Sequence, residues 1–88
     1  MVEMISLTDL PNISKVIADD LQKAGIETAE ELKRIESREA FLRIRQYSDS
    51  GACLHKLYAL EGAVQGIRWH VLSDEIKVEL KQFHKNLE

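Results

Sequence analysis

The chain has 88 residues, 31% charged and 44% apolar, a balance that suits one compact domain over residues 1–88 with little room for a deep substrate cavity. Twelve Lys and Arg against fifteen Asp and Glu give a net charge of −3, which excludes a polybasic nucleic-acid binder. The single cysteine, Cys53, excludes an internal disulfide framework, and no run of about 18 apolar residues is present, so a cytoplasmic protein with no membrane contact is expected.

The elements follow from cap residues and apolar spacing. After Leu10-Pro11, Asn12 and Ser14 can accept from free helix-start amides, and Ile17, Leu21 and Ala24 recur at helical spacing, which predicts a helix from about Ser14 to Ala24. Gly25 suits the left-handed position that ends such a helix, with Ile26 packing back. Thr28 and Glu31 form a capping box for a second helix running to about Ile35, with Leu32 and Ile35 inward. Ser37 is read as the cap of a third, in which Ala40, Phe41, Ile44 and Tyr47 share a face. Ser48-Asp49-Ser50-Gly51 breaks the chain.

A fourth helix is expected from about Ala52, with Leu54, Leu57, Tyr58 and Val64 on its apolar stripe. Ala59, Gly62, Ala63 and Gly66 leave one flank nearly bare, and a helix-interior glycine costs roughly 1 kcal/mol, so Gly62 and Gly66 predict the close approach of another helix. Ser73 caps a fifth helix whose first turn carries Asp74 and Glu75, where the helix dipole favours acids, and whose inner face is Ile76, Leu80, Phe83 and Leu87. No stretch sustains a period of two. The fold class is therefore all-α, a compact bundle of about five short helices.

No chemistry of catalysis or metal binding is spelled out. Cys53 and His55 lie two apart, on different faces of a helix, and no glycine-rich loop or nucleophile elbow accompanies them. A non-catalytic protein without cofactor or metal is expected. Asp19-Asp20 and Glu30-Glu31 read as exposed charge that favours solubility. The charges are nevertheless sorted: residues 19–31 hold five acids against one base, and residues 33–45 five bases against two acids. Such faces are ordinarily solvated helix surface, and they also suit phosphate contact, self-association or a charged partner.

The segment Leu10 to Leu21 resembles the hairpin and second helix of helix-hairpin-helix DNA-binding motifs, with Asn12 and Ser14 standing where those motifs usually carry glycine. There, free amides and the positive helix end form an anion site. By that resemblance, the contacts to DNA or a partner would be Asn12, Ser14 and Lys15, with Arg34 and Arg38 flanking.

From Leu7 to Phe83 the chain resembles the C-terminal domain of the TfoX/Sxy family of DNA-transformation (competence) proteins. The residues are Leu10-Pro11-Asn12-Ile13, Ala24-Gly25-Ile26 with Thr28 and Glu31-Leu32, and Leu57-Tyr58-Ala59-Leu60-Glu61-Gly62-Ala63 running into Gly66-Ile67-Arg68-Trp69-His70. The resemblance implies an all-helical, helix-hairpin-helix-like domain and a competence-regulator-like accessory protein that contacts DNA, weakly, or the transcription machinery. The rival is a self-associating interaction module with no nucleic-acid role, and a homodimer is expected of a domain with so modest a core.

Within the last string, Trp69 is placed to close the core between two helices, and Glu61 to pair with Arg68 if the turn after Gly66 folds back. The same residues allow a binding surface around Arg68, Trp69 and His70.

Overall fold

The computed structural model describes residues 6–47 and 54–87 of the chain, and within them every regular element is helical. A 3₁₀ turn, Leu7–Asp9, leads into α1 (Lys15–Lys23), α2 (Ala29–Tyr47) and α3 (Leu54–Gln65). A second 3₁₀ turn, Trp69–Val71, leads into α4 (Asp74–Asn86). The break expected at Ser48 to Gly51, the helix start at Ala52, and Cys53 lie outside the described residues.

Local chemistry sets the element ends. The Ser14 hydroxyl accepts from the Ile17 amide at 3.3 Å, that of Thr28 from Glu31 at 3.1 Å, and that of Ser73 from Ile76 at 3.2 Å. Each supplies a partner to a helix-start amide that the helix itself leaves free. At the far end of α1, Gly25 has φ +87°, the Ile26 amide reaches the Leu21 carbonyl at 2.8 Å, and that of Gly25 reaches Gln22 at 3.0 Å. That pair of bonds defines a Schellman stop, and Ile26 is fully buried behind it.

The two helices expected here run end to end in α2 and meet at a break at Glu36, which has φ 70° and ψ 172°. The break has a packing cause. Leu32 and Phe41 are both fully buried, yet at about 100° per residue nine positions place them on opposite sides of an unbroken helix. The kink turns residues 37–47 so that Ser37, Ala40, Phe41 and Ile44 face the core that Ala29 and Leu32 already face. Tyr47, expected on that face, is exposed. Ser37 is buried, and its hydroxyl, expected to cap a helix, donates to Glu61 Oε1 at 2.5 Å.

α3 is the central element, packed along α2 and also against α4 and the second 3₁₀ turn, while α1 rests on α2. Leu57, Leu60 and Ala63 of α3 are fully buried with Leu21, Ile26, Leu32, Phe41, Ile44 and Leu80. The bare flank of α3 is not a helix crossing. A Cβ on Gly62 would meet the Asn12 side chain, the Ile67 carbonyl and the Trp69 amide, so the α1 hairpin and the turn after α3 cover it. Gly66 meets nothing. Its φ of +77° makes it a second Schellman stop, with Ile67 bonded to the Gly62 carbonyl at 2.9 Å and Gly66 to Ala63 at 3.1 Å.

Candidate functional site

Leu10 and Ile13 bury the hairpin before α1 in the core, and between them one polar side chain ties it to the turn after α3. Asn12 has φ 69°, a left-handed conformation that asparagine tolerates better than most residues. Its amide nitrogen donates to the Ile67 carbonyl at 2.8 Å, and its amide oxygen accepts from the Trp69 backbone N–H at 3.1 Å. One residue thereby clasps the hairpin to the turn that follows α3, across the space Gly62 leaves open. Asn12→Ala removes both bonds and puts an alanine at a left-handed position, an expected loss of about 2–4 kcal/mol. Asn12→Gly removes the bonds but accepts the backbone, so it should lose about 1 kcal/mol less. Urea denaturation of the two variants measures this, and equal losses would remove the backbone contribution.

The other residues expected at a phosphate site lie at the start of α1 and on the two segments of α2. The Ser14 hydroxyl is taken up by the Ile17 amide. Lys15 is exposed on the first turn of α1, in a groove of about 630 Å³ that it shares with Ser6, Val16 and Asp19. Arg34 is exposed on the first segment of α2. Arg38 turns toward α4, 3.6 Å from Glu79 and 5.8 Å from the centre of the Phe83 ring.

The residues around Arg68 are brought together. A cleft of about 430 Å³ opens between α1, α3 and the second 3₁₀ turn, with Ile17 and Ala59 at its apolar base and Asn12, His55, Arg68 and Trp69 around it. Trp69 organises this region: the His70 ring stacks on it with centroids 4.0 Å apart, and Tyr58 lies nearly parallel at 5.9 Å. His55 meets it edge-on at 5.4 Å. Lys77 reaches over from α4, with Nζ 5.9 Å from the indole centre, and donates to the His70 carbonyl at 3.2 Å. Trp69 is half-buried against the core, so it both closes the bundle and walls the cleft.

Lys56, which also lines the cleft, forms a buried pair with Asp20. Asp20, expected as solvated charge, accepts from Lys56 Nζ at 2.5 Å, and the two side chains are only 13% and 9% exposed. This bond ties α1 to α3. Asp19 does behave as surface charge, pairing with Lys23 at 3.2 Å. A signal for the buried pair was present, since Lys56, Leu60 and Ala63 share one helical stripe and a lysine at core spacing calls for an acid.

Glu61 does not pair with Arg68. Its two carboxylate oxygens accept from Ser37 Oγ at 2.5 Å and Gln65 Nε2 at 2.6 Å, which pins α3 to the kinked part of α2. Arg68 is exposed and, among the described residues, has no carboxylate within 4 Å. Among the same residues no group of three or more His, Cys, Asp or Glu side chains is placed to hold a metal ion, and no helix is long and apolar enough to cross a membrane.

Residues 3–84 match the family model described as the TfoX C-terminal domain. Two solved structures from Listeria monocytogenes are similar. One is described as an uncharacterized protein in a triclinic crystal form: 58% identity, a TM-score of 0.91, and coverage of 94% of this chain and 93% of that one. The other is described as a protein of unknown function in a tetragonal form: 61% identity, a TM-score of 0.89, and coverage of 93% and 99%. No curated protein matches the chain.

Proposed function

The chain belongs to the TfoX C-terminal domain family, and from that membership we propose that it is a non-catalytic binding module, akin to the domain in competence regulators, that contacts the transcription machinery through protein rather than through DNA. The observation that carries this reading is the occupation of the hairpin. The Ile17 amide, one of the helix-start donors that would face a phosphate, is taken by the Ser14 hydroxyl, and the Asn12 side chain is bonded to Ile67 and Trp69. The pairing of Arg38 with Glu79 and the net charge of −3 support it further, because duplex affinity rests on several basic groups meeting neighbouring phosphates. A reducing cytoplasmic setting suits a chain with one cysteine.

Fluorescence anisotropy of a labelled DNA duplex at low salt tests the reading. The expected result is no binding that depends on Lys15. Weak binding that falls with salt at a log-log slope near about −3 and disappears in Lys15→Glu, with the fold intact by circular dichroism, would restore the hairpin as a DNA site. Under the protein-contact reading, crosslinking in the cell should recover RNA polymerase components rather than DNA fragments.

Self-association is the second reading, favoured by Val16, Val71 and Val78, each about two-thirds exposed. Light scattering across a concentration series would show it as a mass rising from 10.1 kDa toward twice that value.

A further inference from the structure

Resting on the protein-contact reading above, we propose that the cleft between α1, α3 and the second 3₁₀ turn receives an acidic segment of a partner protein, with an apolar side chain seated against Ile17 and Trp69 and a neighbouring carboxylate on Arg68. The charge arrangement supports this occupant. In a chain of net charge −3, the residues lining the cleft include no carboxylate, and they include His55, Lys56 and Arg68. Of these, Lys56 is already paired with Asp20. Arg68 is therefore a guanidinium on offer, and its planar fork suits a carboxylate.

Shape points the same way. A concave space of about 430 Å³ takes one or two side chains, whereas reading a duplex requires an element that projects into a groove. The walls are also fixed in advance. Asn12 ties the hairpin to the turn after α3, Lys56–Asp20 ties α1 to α3, and His70 and Tyr58 hold the Trp69 ring. Little ordering entropy is left to be lost on binding, and a tryptophan beside an arginine is the composition in which interface energy concentrates.

Trp69, the chain's only tryptophan, reports directly on the cleft. The experiment titrates the full chain with an acetylated, amidated octapeptide of sequence DDFDLLDD, following tryptophan emission. A saturable change is expected, weakened about tenfold or more by Arg68→Glu, and absent for the peptide with every Asp replaced by Lys. Circular dichroism checks that Arg68→Glu, a change at an exposed position, keeps the fold. Equal response to the lysine peptide, or an undiminished response in Arg68→Glu, overturns the proposal. A labelled duplex added under the same conditions separates the two levels of inference. Duplex DNA that changes the emission in an Arg68-dependent way overturns both the acidic-segment proposal and the protein-contact reading. Silence from peptide and duplex alike overturns only the cleft.

Discussion

Lys56→Met should lower the stability of the domain by about 3–5 kcal/mol, because it leaves the Asp20 carboxylate in a nearly dry site without its counter-ion. The loss is large for an 88-residue chain, whose whole stability is about 4–13 kcal/mol at the usual value per residue. Asp20→Leu should cost a similar amount by stranding the ammonium. The double variant Asp20→Leu/Lys56→Met is expected to recover most of the loss, since an apolar pair of suitable volume removes both desolvation penalties at once. Urea denaturation of the four proteins closes the cycle. Single losses below about 1 kcal/mol would place the pair among solvated surface bridges, where Asp20 was first expected.

Gly62 carries the second large effect. Its missing side chain is where Asn12 crosses to the turn after α3: a Cβ there would stand 2.8 Å from the Ile67 carbonyl and 3.1 Å from the Trp69 amide, and nearer still to the Asn12 amide nitrogen. Two of the three neighbours are backbone and cannot swing away. Gly62→Ala should therefore destabilise by about 1–3 kcal/mol, even though alanine improves helix propensity by roughly 1 kcal/mol, and Gly62→Leu by more. Because the displaced groups include both partners of Asn12, the emission of Trp69 should change as well. Gly66→Ala provides the contrast. Nothing crowds it, and its cost of about 1 kcal/mol comes only from the left-handed backbone at φ +77°. A thermal midpoint for Gly62→Ala at or above that of the parent would show that the hairpin and the turn yield to a methyl group.

The two variants touch different joints. Lys56–Asp20 joins α1 to α3, and Gly62 lies beneath the clasp between the hairpin and the second 3₁₀ turn. Both joints border the cleft that carries His55, Arg68 and Trp69. Loss of either should weaken peptide binding even where Arg68 itself is unchanged, so binding measurements belong with folded variants only.

The sequence by itself determined the all-helical class and most element ends. Ser14, Thr28 and Ser73 cap helices, Gly25 stops one, and the chain breaks between Ile35 and Ser37, because each of these rests on bonds or packing between residues within a turn or two of one another. Only the tertiary structure decided what faces what. Asn12 reads as a helix-start acceptor and phosphate-site candidate until its amide meets Ile67 and Trp69, 55 and 57 positions away, and Asp20 reads as surface charge until Lys56, 36 positions on, lies against it. The Glu61–Arg68 pairing failed for the same reason: Ser37, 24 positions earlier, was nearer once the kink at Glu36 had turned it inward. Helical periodicity places a side chain on a face, but the element across from that face is set by how the helices pack, and that depends on the whole core at once.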